Sequence, residues 1–493
     1  MLFTSIAFLA FLAVVGGAYH LCPIGWRRWY LLAASYGFYC TWGVGFAFLL
    51  LAATGVAFAI AHRVARAQTD ASKRTWLAVG ILTLFVPLAT FKYSIWLSDA
   101  LAMALGPRRW MEPLAGVSQL APLGLSYYTL KLVSYLIDVY WNRIEPCREF
   151  SAVATYAAFF PQIVSGPIQR APDFIRQIDT ITPTRPALVS SGMRLILFGL
   201  FKKLVLADRL GLFVDQVYTR PHDHPDPILA LASYVFVLQL YADFSGLTDI
   251  AIGSGRILGI TAPPNFDAPF SAHNIQEFWR RWHMTLTAWL GDYLFTPLRM
   301  ALRDWGSAGL MVSLAVNMVA VGVWHGARST YAVFGLMHGG FLIASTLTLR
   351  RRKRLLQRSP TLARLHGVTG PIVTFHLLVV SFVFFRAQSV TDGWYILRHA
   401  GAGLFQLAGN LGELAQVATL WTAHLRWSPR DVLIAGGAAW VMVAVHRLQR
   451  RAELARIIRA TPGWFRWAGY YALALAILIW GQTDATQFIY ANF

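Results

Sequence analysis

Residues 308–354 read AGLMVSLAVNMVAVGVWHGARSTYAVFGLMHGGFLIASTLTLRRRKR. Two apolar runs, 308–325 and 330–349, meet at the short polar stretch around His325 and Arg328, and five consecutive cations close the second. At about 1.5 Å per helical residue, each run suits a crossing of a hydrocarbon layer about 30 Å thick. The pattern predicts a membrane hairpin with its cations at a polar surface.

The rest of the chain extends this reading. Of its 493 residues, 56% are hydrophobic and only 13% charged, with 19 Trp. Soluble domains carry about 25% charged residues. The expected fold class is therefore an all-α polytopic membrane protein. Candidate spans are 2–19, 30–61, 76–97, 118–141, 149–166, 188–213, 228–260, 308–325, 330–349, 371–386, 430–446 and 466–481. The run 30–61 is expected to break at TWGVG, and 228–260 around DFSG. About 11–13 transmembrane or re-entrant helices follow. The organisation expected is N-terminal helices over 1–118, a core over 119–386, and an external segment with C-terminal helices over 387–493.

The net charge is +20. It is read as a topology signal rather than as a nucleic-acid surface, with membrane lipids as partners of the cations. The stretches 63–74, 350–358 and 446–459 are placed in the cytoplasm, which leaves 387–429 and the tail TDATQFIYANF outside. Arg108 and Arg109 fall in a loop that this count places outside. The N-terminus lacks an early basic region and reads as a retained span. Cys22, Cys40 and Cys147 are too few and too widely spaced for a disulfide framework or a cysteine zinc site. HDH at 222–224 lacks a third ligand, and no metal is expected.

Polar groups within apolar stretches are costly and mark candidate sites. In EFWRRWHMTLTAWLGDYLFTPLR (277–299), Trp279, His283, Leu286, Leu290 and Tyr293 share one helical face. An amphipathic interfacial helix is expected, with His283 pointing inward. His325 is flanked by Gly322 and Gly326, which allow close approach of backbone or ligand. A neutral imidazole with a pKa near 6.5 can serve there as a general base. His338 reads as structural. Asp243 and Asp249, in YADFSGLTDIAIG, need partners, and a buried ion pair is the favoured account. Gln162 lies in FFPQIVSGPIQR, an irregular segment bounded by prolines. Lys202 and Lys203 read as snorkelling lysines.

Taken in order, FFPQIVSGPIQR, FGLFKKLVLADR, YADFSGLTDIAIG, PPNFDAPF, EFWRRWHMTLTAWLGDYLFTPL, GVWHGARSTYAVFGLMHGG and VFFRA resemble the membrane-bound O-acyltransferases, in their bacterial branch for alginate O-acetylation. The resemblance runs from about residue 120 to the terminal FIYANF. It implies a ring of helices around a central tunnel. It also implies a catalytic histidine at His325 and a second at His283. Candidate substrate-binding residues are Trp324, Asn317, Arg328, Trp279, Trp282, Asp243 and Gln162. The chain departs from the commoner family pattern at LGDY (290–293), PLRM (297–300) and GARST (326–330), and both histidines are kept. No bound cofactor is implied. The implied donor is a cytosolic acyl thioester, most simply acetyl-CoA. The acceptor would be an extracytoplasmic polysaccharide, reached through a periplasmic acetyltransferase partner, and the location the bacterial inner membrane. The alternatives are direct acylation of a lipid, a protein or a teichoic-acid-like polymer, and a transporter. A transporter predicts internal repeats with paired broken helices, which the sequence lacks.

Overall fold

The computed structural model describes residues 1–94, 96, 98, 122–409, 427–450, 457 and 460–482. The Arg108–Arg109 loop, most of the basic stretch 451–459 and the tail from 483 lie outside the described residues. Among those described, the secondary structure is helical and no strand occurs. Seven helices among the described residues are long and apolar enough to cross a membrane: Val44–Arg66, Asp70–Lys92, Asp226–Ile257, Arg303–His325, Ser329–Arg358, Pro360–Arg386 and Pro429–Gln449. The all-α polytopic fold and its placement as an integral membrane protein follow. The candidate spans at 118–141 and 149–166 form shorter helices, Leu125–Tyr140, Phe150–Ala158 and Phe160–Ile163.

The chain divides into two compact units, Met1–Ile196 with Leu247–Pro264, and Leu197–Gly246 with Asn265–Asn492. In the first, α1 (Ile6–Leu21), α2 (Arg27–Cys40), α3 (Val44–Arg66), α4 (Asp70–Lys92), α5 (Leu125–Tyr140) and α6 (Phe150–Ala158) follow one another. The expected break in 30–61 falls between α2 and α3, where Gly43 has φ +149°, a region that side chains with a Cβ avoid. Gly45 lies inside α3. Phe8, Phe38 and Phe160 form the centre of an aromatic core, with centroids 5.7–6.4 Å apart. Gln162 is buried here: its Nε2 donates to Gln169 Oε1 at 2.8 Å, and Gln169 Nε2 donates to the Thr261 carbonyl at 3.1 Å. The irregular segment thus meets its polar needs through side-chain amides. The following helices are α7 (Ala171–Asp179) and α8 (Pro186–Leu200).

The second unit contains α9 (Asp208–Thr219) and the first part of α10 (Asp226–Ile257). Contrary to expectation, α10 runs unbroken through DFSG. A Cβ on Gly246 would stand 2.8 Å from the Gly199 carbonyl oxygen. The small residue admits a neighbouring backbone without unwinding the helix. Lys202 and Lys203 do not snorkel. They lie in a π-helical segment, Phe201–Ala207, at 1% and 5% exposure. Lys203 Nζ is 2.6 Å from Asp208 Oδ1 and 2.9 Å from Asp243 Oδ1. Lys202 Nζ donates to Ser245 Oγ at 3.0 Å. A buried ammonium with carboxylate and hydroxyl partners needs no reach to water. Asp243 is therefore an ion-pair residue of the scaffold.

The unit continues through α11 (Ile275–Trp279), α12 (Met284–Leu290), α13 (Gly306–His325), α14 (Ser329–Arg358), α15 (Pro360–Arg386) and α16 (Val390–Gly409). Later in the chain, α17 (Pro429–Arg450) and α18 (Gly463–Trp480) follow. The membrane hairpin read from 308–354 forms as α13 and α14. The basic stretch 350–358 is not a loop but the last turns of α14, and Pro360 opens α15 almost at once. Along α14 the basic end lies about 30 Å from the His325 end.

Candidate functional site

The single amphipathic helix expected over 277–299 is broken in the structure. α11 stops at Trp279, and α12 begins only after His283. His283 has φ +42° and ψ +52°, left-handed values rare for a residue with a Cβ. Asn265 holds the break open. Its backbone carbonyl accepts from Met284 N at 2.9 Å, and its Oδ1 accepts from Thr285 Oγ1 at 2.7 Å and Thr285 N at 3.3 Å. These bonds compete with helix continuation and turn the chain at His283. A π-helical turn follows at Gly291–Phe295.

That turn buries the His283 ring to 1% exposure. Its Nδ1 is 3.2 Å from Asn265 Oδ1. Phe244 of α10 packs edge-on against the ring, with centroids 4.7 Å apart. Among the described residues His283 Nε2 has no hydrogen-bond partner.

His325 ends α13 and is 4% exposed. Phe385 of α15 packs against it edge-to-face at 4.9 Å, and Tyr331 of α14 lies at 6.3 Å. The Trp324 indole stands 4.9 Å from the His325 ring and 5.9 Å from the His283 ring. The two histidines therefore share one aromatic neighbour within one unit. The approach of α14 needs glycine, because a Cβ on Gly322 would fall 2.1 Å from the Tyr331 carbonyl oxygen. This close crossing sets the backbone from which His325 projects.

The other candidates divide. Asn317 is on α13, and its Oδ1 is buried without a hydrogen-bond partner among the described residues. Trp279 Nε1 donates to His338 Nδ1 at 3.2 Å, and His338 Nε2 lies 3.0 Å from Ser381 Oγ. Both ring nitrogens of His338 are thus occupied by a bridge tying α11, α14 and α15. Trp282 sits in an aromatic cluster with Phe266 at 5.2 Å, Phe278 at 5.5 Å and Phe382 at 5.6 Å. Arg328 is exposed and precedes α14. The helix does not continue from His325 to Arg328, because α13 ends at His325 and α14 starts at Ser329. Gln162 belongs to the other unit. His222 pairs with Asp392 at 3.4 Å rather than with His224.

On the approach to His283, Glu277 accepts from Arg281 at 2.6 Å and from the His273 backbone N–H at 2.8 Å. Burial pushes the Glu277 carboxyl up, but the His273 and Arg281 contacts outweigh it and hold it below its usual value. The arginines of WRRWH thus split: Arg281 is tied to the segment itself, and Arg280 is exposed.

Sequence reading missed Asn265, Phe244, Tyr331 and Phe385. Asn265 lies within PPNFDAPF, and a lone amide there carries no periodic signal. Its partnership with His283 is a long-range contact.

Comparison with known proteins gives the family. The model of the MBOAT, membrane-bound O-acyltransferase family matches residues 148–382, which include His283 and His325. "Probable alginate O-acetylase AlgI" of Azotobacter vinelandii is 33% identical over 443 residues, covering 86% of this chain and 84% of the relative. "Peptidoglycan O-acetyltransferase" of Helicobacter pylori is 28% identical over 428 residues, 80% of this chain and 77% of the relative. "Teichoic acid D-alanyltransferase" of Streptococcus thermophilus is 29% identical over 299 residues, 55% of this chain and 70% of the relative. Motif order, a helical membrane fold and similarity over most of the chain converge, and the chain belongs to the membrane-bound O-acyltransferase family as an enzyme that transfers acyl groups to hydroxyls.

Proposed function

We propose that this enzyme moves an acetyl group from a cytosolic thioester, acetyl-CoA, towards hydroxyls of an extracytoplasmic polysaccharide. A periplasmic acetyltransferase partner completes the transfer, and the enzyme resides in the bacterial inner membrane. The observation that carries this reading is the pairing of two buried imidazoles on Trp324 in a chain of this family. The relatives named for alginate, peptidoglycan and teichoic acid support a polymer as the final acceptor.

His325 acts as the general base. It takes the proton of the acceptor hydroxyl as the oxygen attacks the thioester carbonyl. The tetrahedral oxyanion collapses with cleavage of the C–S bond, and the thiol leaves with the proton held by His325. His283 orients the acceptor hydroxyl. The Trp324 indole can only donate a hydrogen bond, which suits the carbonyl oxygen as it gains charge. The geometry of α14 supports the direction of transfer. With its basic end cytosolic by the positive-inside rule, the His325 end lies towards the opposite face. The basic end also suits the phosphates of the donor.

The test uses sealed inverted vesicles supplied with acetyl-labelled acetyl-CoA. Label is expected on polymer or partner protein inside the vesicles, and His325→Ala is expected to lower its appearance by about 10²–10⁴-fold. Label arriving only from a lipid donor, or undiminished in His325→Ala, refutes the reading.

A further inference from the structure

We infer that Asn265 is a positioning residue for His283: its side-chain oxygen selects the Nδ1–H tautomer and leaves Nε2 as the hydrogen-bond acceptor of the site. The inference rests on the acyl-transfer reading for its consequence, but its geometry stands independently.

The argument begins with Thr285, whose backbone N–H can only donate. It points at the Asn265 side-chain atom at 3.3 Å, so that atom is the carbonyl oxygen and not the amide nitrogen. The Thr285 hydroxyl points at the same oxygen at 2.7 Å. The oxygen is also the atom 3.2 Å from His283 Nδ1. An oxygen without hydrogen can only accept, so Nδ1 carries the proton. In a neutral imidazole Nε2 then bears the lone pair. Nε2 is buried and has no hydrogen-bond partner among the described residues.

The ring has little freedom to choose otherwise. Asn265 is 1% exposed, and its carbonyl also holds Met284 N at 2.9 Å. One residue therefore fixes both the left-handed turn at His283 and the protonation pattern of its ring. Phe244 covers the ring edge-on. The role of His283 follows by elimination: Nδ1–H is spent on Asn265, and Nε2 of the neutral ring cannot donate to an oxyanion. His283 accepts from a second, non-reacting hydroxyl of the polyol acceptor and so aims the reacting one, whose proton goes to His325, while the donors for the oxyanion come from other groups.

The experiment is nitrogen NMR of full-length protein labelled with ¹⁵N-histidine in nanodiscs, with the His283 signals assigned by their loss in His283→Gln. The parent is expected to show a protonated Nδ1 and a bare Nε2. Asn265→Ala is expected to lose this pattern and to lower turnover about tenfold to a hundredfold, with the KM for acetyl-CoA within about twofold, the signature of a misaimed group. Asn265→Asp keeps an acceptor oxygen and is expected to keep the Nδ1–H pattern. It also covers the case in which the alanine variant fails to fold. A His283 that carries its proton on Nε2 in the parent overturns the inference. So does an Asn265→Ala protein that keeps both the Nδ1–H pattern and the parent turnover. If the tautomer depends on Asn265 as stated but no form of the protein consumes acetyl-CoA, the tautomer assignment stands and the acyl-transfer reading has failed.

Discussion

Replacing Lys203 by Met tests whether this lysine is a scaffold cation or a snorkelling side chain. Its ammonium sits 2.6 Å from Asp208 and 2.9 Å from Asp243, and all three side chains are at most 6% exposed. Met matches the stem but removes the charge, leaving two carboxylates facing each other away from water. Breaking a buried ion pair in this way costs about 3–5 kcal/mol. At ~1.4 kcal/mol per power of ten, the unfolding equilibrium should move by roughly two to nearly four powers of ten. A snorkelling lysine at a membrane surface would cost no more than about 0.5 kcal/mol. The assay is reversible unfolding in mixed detergent micelles, followed by tryptophan fluorescence. A triple variant, Lys203→Met with Asp208→Asn and Asp243→Asn, removes all three charges and should recover most of the loss, because the penalty lies in the stranded carboxylates. A single variant within about 0.5 kcal/mol of the parent would show that Lys203 is not a buried ion-pair cation, as would a triple variant no more stable than the single. Function is tied to the same contact. Asp243 adjoins Phe244, which packs on His283, so surviving Lys203→Met protein should also show weakened turnover.

Three further outcomes follow from the site. His283→Ala should lower turnover strongly, yet add little to the loss already caused by His325→Ala, since residues acting as one unit are non-additive; multiplicative losses in the double variant would separate the two rings functionally. Gly322→Val should disrupt the crossing of α13 and α14, where even a Cβ would stand 2.1 Å from the Tyr331 carbonyl, and the yield of monodisperse protein measures it. Arg328→Ser should weaken use of acceptor or partner while binding of the thioester is kept, read from separate titrations of the two substrates; unchanged acceptor dependence would leave this exposed arginine only a boundary marker.

Much of the architecture is legible along the chain because a membrane imposes local rules. A helix in hydrocarbon must satisfy its own backbone, so apolar length alone announces α3, α4, α13, α14 and α15. Gly43 marks its turn for an equally local reason. His325 and His283 are visible because imidazoles stand out in apolar surroundings, and the ordered motifs around them carry the family. Other features depend on partners distant in sequence. Lys203 looks like a residue reaching for water until Asp243, forty residues on, is brought beside it. DFSG looks like a break until a neighbouring backbone fills the space over Gly246. The periodicity of 277–299 describes one helix, yet Asn265 captures the backbone at Met284 and turns His283 into a buried corner. From the chain alone, hydropathy acting over a few turns determined a polytopic helical membrane protein, and the ordered motifs, through their family resemblance, marked it as an acyltransferase with His283 and His325 as candidate site residues. Tertiary structure alone decided which polar groups are spent on the scaffold and which keep an open hydrogen-bonding atom among the described residues, because a buried hydrogen bond or ion pair is defined by the atoms that folding places across from it.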